Sequence, residues 1–306
     1  MPRPLAATVR RVDFGAVALF GDDGTVFGAS ARGKLMGAKK SLGNTVVVGD
    51  RVHLAWEGER AMIEAVDPRR SSFSRRASGE RDEEQVVAAN LDQVVIVASL
   101  HRPDFSHGLV DRVLAQALVS GLPAVLALNK TDLGDEAEAR SLLDDYVPAG
   151  VAGYAMCAAS GRGVDELLAA CTDRRSLFVG HSGVGKSTLL DRLAPGHELL
   201  QGDVNERTGK GRHTTTAALL LRPRPDLELI DTPGVRAFAL WGVDARSLEE
   251  YYPELEPFRG RCRFADCRHD REPGCALREA AQRGDIHERR FASFLKLREE
   301  LEGGWR

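Results

Sequence analysis

Gly180-His181-Ser182-Gly183-Val184-Gly185-Lys186-Ser187 has the spacing GxxxxGK[ST], residue types suited to cradling a polyphosphate. The glycines allow backbone N–H groups to turn inward on the phosphates at a helix N-terminus. Lys186 would reach the β- and γ-phosphates, and the Ser187 hydroxyl would bind Mg²⁺, with Thr188 beside it in the same turn. Downstream, Asp231-Thr232-Pro233-Gly234 offers a carboxylate toward Mg²⁺ and a glycine, Gly234, free to approach the γ-phosphate. Between these two, Gly211-Arg212-His213-Thr214-Thr215-Thr216 supplies hydroxyls for a segment that senses the γ-phosphate. Residue type leaves all three threonines open as metal ligands, and Thr215 is the favoured one. Upstream lies Asn129-Lys130-Thr131-Asp132. A carboxylate is an acceptor only, so Asp132 can take two hydrogen bonds from the ring N–H and exocyclic amine of guanine, a donor pair that adenine lacks. Lys130 would pack along the base, and Asn129 would tie the tetrad to the phosphate loop. In Met156-Cys157-Ala158-Ala159-Ser160-Gly161-Arg162-Gly163, the N–H of Ala158 is expected to meet guanine O6.

These motifs are all parts of a guanine-nucleotide site, in an unusual order. In an ordinary GTPase the phosphate loop comes first and the base-reading tetrad follows it. Here the tetrad leads, so the chain reads as a circularly permuted GTPase. One expected group is missing. Where Ras-like enzymes carry a glutamine that orients the attacking water, this chain has Val235, which cannot hydrogen-bond water. His213, with a side-chain pKa suited to work near neutrality, is the candidate replacement; the alternative is a merely solvated loop histidine.

A second constellation is Cys262-x4-Cys267-x-His269-x5-Cys275. Three thiolates and an imidazole make a full tetrahedral set for zinc and leave no open position, so the site is structural. A disulfide framework fits poorly, because the chain has five cysteines and its start, Met1-Pro2-Arg3-Pro4-Leu5, lacks the apolar core of a secretion signal. Cys157 and Cys171 read as buried small hydrophobes.

The elements that must position these residues follow from pattern. Gln93–Ala98, Ala124–Leu128, Ser176–Val179 and Leu227–Ile230 are short apolar runs suited to buried strands. Helical spacing over Leu109–Leu118 and Thr188–Leu193 alternates with them, as in a doubly wound α/β sheet. Residues 1–75 read as β: Thr8–Val12, Ala16–Phe20, Thr25–Ala29, Thr45–Val48 and Arg51–Leu54. About five short strands suit an OB-type barrel whose face binds single-stranded nucleic acid, with an SH3-like module as the alternative. Ser78–Glu84 reads as a polar linker. Ala276–Gln282 and Phe291–Leu301 read as helices beside the zinc loop. The expected organisation is a barrel at 1–75, a GTPase domain at 76–243 and a helical zinc domain at 244–306. The segment after Gly234 leads directly into that last domain, so nucleotide state is expected to reposition it.

Composition narrows the class. With 43% hydrophobic and 28% charged residues in 306, the chain has ample core for two or three domains. No apolar run approaches the ~20 residues of a membrane span. A net charge of −3 excludes a uniformly basic nucleic-acid coat, so RNA contact must be local. Residues 1–80 carry thirteen Lys/Arg against nine Asp/Glu, with Lys34 to Lys40 as a candidate RNA-contacting loop, and five arginines (259, 261, 263, 268 and 271) surround the zinc loop.

Taken in order, NKTD before GHSGVGKS, then GRHTTT, DTPG and the cysteine cluster, the chain resembles the circularly permuted ribosome small subunit-dependent GTPases, the RsgA or YjeQ family. The resemblance covers nearly the whole chain and implies the three domains above. It also implies GTP hydrolysis stimulated by the small ribosomal subunit during late maturation, contact with 16S rRNA, a cytoplasmic setting and a monomer. Cys157 departs from the usual serine. Two other classes fit less well: a nucleotide-gated binding module with negligible turnover, which the missing glutamine would permit, and a P-loop kinase, which NKTD disfavours.

Overall fold

The computed structural model describes residues 4–13, 16–35, 44–77, 83–197, 218–235 and 238–303. His213 and Thr214 to Thr216 lie outside the described residues, as do Lys39 and Lys40 of the proposed RNA-contacting loop.

The first five strands are β1 (Ala6–Asp13), β2 (Ala16–Phe20), β3 (Val26–Ala31), β4 (Arg51–Glu57) and β5 (Arg60–Val66). They run in the order β1-β2-β3-β5-β4 and close by pairing β1 with β4, Ala6 opposite His53. β3 and β5 are parallel and the other pairs antiparallel, an OB-type barrel. Alternate residues point inward, among them Ala7 and Val9, Val52 and Leu54, Ala61 and Ile63. One strand expectation is corrected. Thr45–Val48 is not a strand, although Val46, Val47 and Val48 are buried. The buried Asp50 carboxylate accepts from the Val47 N–H at 2.8 Å and from Arg69 at 2.7 and 2.9 Å, which pins a turn instead. The fifth strand is β5, whose mixed residues gave no clear alternation.

A hairpin of β6 (Ser72–Arg76) and β7 (Glu84–Ala89) follows, and the expected division at 75/76 falls inside β6. The central sheet comprises β8 (Gln93–Ser99), β9 (Ala124–Asn129), β10 (Ala152–Ala155), β11 (Arg174–Gly180), β12 (Leu219–Arg224) and β13 (Leu227–Asp231). Its order is β10-β9-β8-β11-β13-β12, parallel except for β12. Helices α1 (His107–Val119), α2 (Glu136–Asp144), α3 (Val164–Cys171) and α4 (Lys186–Leu193) cover it. Because both faces are covered, β8, β9 and β11 read as continuous apolar runs rather than alternating ones. The barrel joins this sheet edge to edge: Leu219 of β12 lies opposite Arg11 of β1 on one side and Asp231 of β13 on the other.

At the C-terminal end, 3₁₀ turns at Ser247–Tyr251 and Pro253–Phe258 precede α5 (Ala276–Arg283) and α6 (Glu288–Gly303). Tyr252, Leu255, Phe294 and Leu297 belong to the same apolar core as Val113 and Leu114 of α1. Arg290 of α6 is 3% exposed and donates to Asp111 of α1 and, at 2.7 Å, to Glu254. Its guanidinium also lies over Tyr252, 4.8 Å from the ring centre. A shared core and a buried ion pair fix this segment on α1, which runs against the expected repositioning with nucleotide state.

Candidate nucleotide and metal sites

Each nucleotide motif within the described residues sits at the C-terminal end of a parallel strand: the tetrad after β9, the phosphate loop after β11, Asp231 at the end of β13. Sheet order reverses between β8 and β11, and the crevice at that point is where doubly wound sheets take their ligands. The permutation therefore changes the connections and leaves the positions of the loops unchanged.

The phosphate loop wraps from Gly180 to α4, which begins at Lys186, leaving Ser187 and Thr188 exposed in its first turn. Gly185 has φ +90°, and a Cβ there would sit 2.3 Å from Asn129 Nδ2, so only glycine fits. That close approach has a purpose. Asn129 Nδ2 donates to the Val184 carbonyl at 2.9 Å, and Lys130 Nζ to the Gly183 carbonyl at 2.6 Å. Asn129 thus ties the tetrad to the phosphate loop as its sequence position suggested. Lys130, itself at φ +60°, also donates to the Arg102 carbonyl. Thr131 is buried, and its hydroxyl donates to the Met156 carbonyl at 3.0 Å. His181 contacts its neighbour, Nδ1 to the Ser182 carbonyl at 2.7 Å, while Ser182 and Gly183 are exposed.

On the metal side, Lys186 Nζ donates to the fully buried Asp231 carboxylate. Thr232 Oγ1 donates to the Phe178 carbonyl at 2.7 Å, and the Val235 N–H to the Gly180 carbonyl at 3.0 Å. These bonds hold Gly234 so near the phosphate loop that a Cβ would lie 3.0 Å from Ser182 Cα. Val235 packs against the core, in keeping with its inability to order water.

On the base side, Asp132 is exposed. The Cys157 thiol hydrogen-bonds its carboxylate and holds its pKa below the usual value, helped by its own backbone N–H and by the charges of Arg162 and Lys130. Cys157 thus occupies the usual serine position as a carboxylate partner, a role that backbone reasoning missed. The Ala158 N–H differs from expectation. It donates to Asn129 Oδ1 at 2.8 Å, because a buried amide must find an acceptor within the protein. Arg192 was also missed: it donates from α4 to the carbonyls of Ala158, at 3.0 Å, and Ala159. No residue-type signal marks a surface arginine for such a bond.

At the second site, Cys262, Cys267, His269 and Cys275 bring four ligand atoms within 4.8 Å of one another. His269 Nδ1 faces Cys262 Sγ at 3.5 Å and Cys275 Sγ at 3.4 Å, while its Nε2 meets Glu249 at 3.1 Å. Soft thiols with one imidazole, oriented by an outer carboxylate, fit a metal such as zinc.

A family model described as RsgA GTPase matches residues 66–241. A small ribosomal subunit biogenesis GTPase RsgA from Gemmatimonas aurantiaca is 40% identical, over 93% of this chain and 94% of its own length. The chain belongs to the RsgA GTPase family. A relative of the same description from Bacteroides fragilis is 35% identical over 92% of this chain and 93% of its own. The crystal structure of YjeQ from Thermotoga maritima superposes with a TM-score of 0.76 at 28% identity, covering 98% of this chain and 99% of that one. YloQ, a circularly permuted GTPase, matches with a TM-score of 0.70 over 97% of this chain and 95% of its own; at 19% identity it speaks for the fold alone. Family membership makes this chain a GTP-hydrolysing enzyme. No helix among the described residues is long and apolar enough to cross a membrane.

Proposed function

We propose that this chain hydrolyses GTP to GDP and phosphate during late maturation of the small ribosomal subunit, which stimulates it and whose 16S rRNA it grips. Its relatives' description as small ribosomal subunit biogenesis GTPases supports this reading. The observation that carries it is the double tie from the tetrad to the phosphate loop, through Asn129 and Lys130, which assembles a guanine reader beside a phosphate cradle despite the permutation. The protein works as a cytoplasmic monomer divided into a barrel at 1–75, a GTPase domain at 76–243 and a zinc domain at 244–306.

In that site Asp132 reads the base. The loop from Gly180 through Ser182, Val184 and Ser187 holds the phosphates, and Lys186 neutralises charge developing on the transferred phosphoryl group. Ser187, Asp231 and Thr215 fit Mg²⁺ as oxygen ligands, and the cation shields the phosphates when bound. Val235 leaves the attacking water without a partner, and His213 supplies one. Cys262, Cys267, His269 and Cys275 hold one structural zinc.

The test is phosphate release from GTP, titrated separately with small subunits, large subunits and free RNA. Stimulation by small subunits alone is the expected result. Negligible release under every condition would favour the nucleotide-gated binding module.

A further inference from the structure

The geometry points to Arg192 as a positioning residue for guanine recognition: it turns the Ala158–Ser160 backbone so that the N–H groups of Ala159 and Ser160 face the base and read O6. This rests on the guanine-site reading proposed above and names groups that reading does not contain.

The Ala158 N–H is already given to Asn129 Oδ1 at 2.8 Å, so O6 needs another donor. Arg192 Nε donates to the Ala158 carbonyl at 3.0 Å and Nη2 donates to the Ala159 carbonyl. In a trans peptide the carbonyl and the following N–H point in opposite directions. Drawing both carbonyls toward α4 therefore aims the Ala159 and Ser160 N–H groups the other way. Neither N–H has an acceptor among the described residues, and both residues are exposed, open to a ligand.

The turn itself is held from three further sides. The Gly161 N–H donates to the Cys157 carbonyl at 2.9 Å, and Cys157 pairs with Arg162 in an isolated bridge. The Ser160 hydroxyl donates to the Cys157 carbonyl at 3.3 Å. Gly161, at φ +90°, leaves the Arg192 guanidinium room beneath the turn: a Cβ would lie 3.4 Å from Nη1. Arg192 also stands on α4, the helix that carries Lys186 and Ser187, so one side chain joins the base loop to the phosphate helix. A lysine ammonium brings donors on a flexible stem without fixed direction, whereas the planar guanidinium presents two donors in fixed relation.

The experiment pairs GTP with 6-thio-GTP, which keeps the N1–H and 2-amino donors for Asp132 but carries a weakly accepting sulfur at position 6. Equilibrium affinities are measured for the wild-type chain, R192A and R192K. R192A is expected to lose about three- to tenfold in GTP affinity, the range for one neutral hydrogen bond, and less than twofold for 6-thio-GTP. R192K should fall between. Equal losses for both nucleotides would mean that Arg192 merely supports the loop, and no loss for either would remove it from recognition; both overturn the proposal. A wild-type chain without preference for GTP over ATP would instead overturn the guanine-site reading beneath it.

Discussion

At the residue scale, recognition depends on acceptor and donor counts. Asp132 offers acceptors only, so Asp132→Asn is expected to weaken GTP binding and admit xanthine nucleotides, because the amide adds a donor. Competition binding with GTP and XTP checks this, and an unchanged guanine preference would remove Asp132 from base reading. Lys186 already reaches toward charge in the buried Asp231 carboxylate, and a polyphosphate offers it more. Lys186→Ala is expected to abolish hydrolysis, while His213→Ala lowers small-subunit-stimulated turnover and leaves GTP affinity within a few-fold. Full stimulated turnover in the His213 variant would assign the water to another group.

At the element scale, two joints set stability. Where α6 meets α1, His107 accepts from Arg289 at 2.5 Å. Burial, then the Arg289 charge, brings His107 from 6.5 down to about 4, against the opposing pull of Asp111, with His287 and Arg290 adding to the depression. Between those two values an unfolded chain binds a proton that the folded one refuses, so this residue removes stability as pH falls through that window. Melting temperatures at pH 7.5 and 5 should therefore drop less in His107→Gln than in the wild-type chain. An equal drop would take His107 out of the pH response. The second joint is the four-ligand cluster. One zinc per chain is expected, and Cys275→Ser should loosen residues beyond 244 to proteolysis while GTP affinity survives, since the nucleotide loops use none of these ligands. Metal analysis of protein purified without chelator decides the first point and limited proteolysis the second.

At the scale of the whole molecule, the C-terminal segment follows Asp231-Thr232-Pro233-Gly234 in the chain but is packed as part of the core. Leaving one charge of a buried ion pair buried without its partner costs about 3–5 kcal/mol. A swing of this segment would have to part Arg290 from Asp111 and expose apolar surface around Phe294 and Leu297 as well. Solution scattering from GDP-bound and GTP-analogue-bound protein is therefore expected to superpose. A clear change in radius of gyration would show that the clamp opens. The barrel is tied to the rest by the edge pairing of Arg11 with Leu219 and by Arg222 over Phe20 at 5.1 Å. Arg175 also donates to the Gly49 carbonyl at 2.8 Å, and Phe20 and Val48 belong to the same apolar core.

The chemistry was legible in the sequence because it depends on residue types at fixed local spacing. GxxxxGKS, NKTD, DTPG and the cysteine cluster each carry their ligand atoms within a few residues, and apolar runs mark the strands that deliver them. Strand existence was also legible where burial on both faces makes the run continuous, as in β8 and β9. Thr45–Val48 looked like such a run and became a turn, because the Asp50 carboxylate, itself held by Arg69, takes the Val47 N–H and the Asp50 N–H returns to the Val47 carbonyl. The partners that only folding chose are distant in sequence: Asn129 with Val184, Arg192 with Ala158, His269 with Glu249, Arg290 with Asp111. A side chain's type states what bonds it can make, and only the return of the chain through space decides which group it meets.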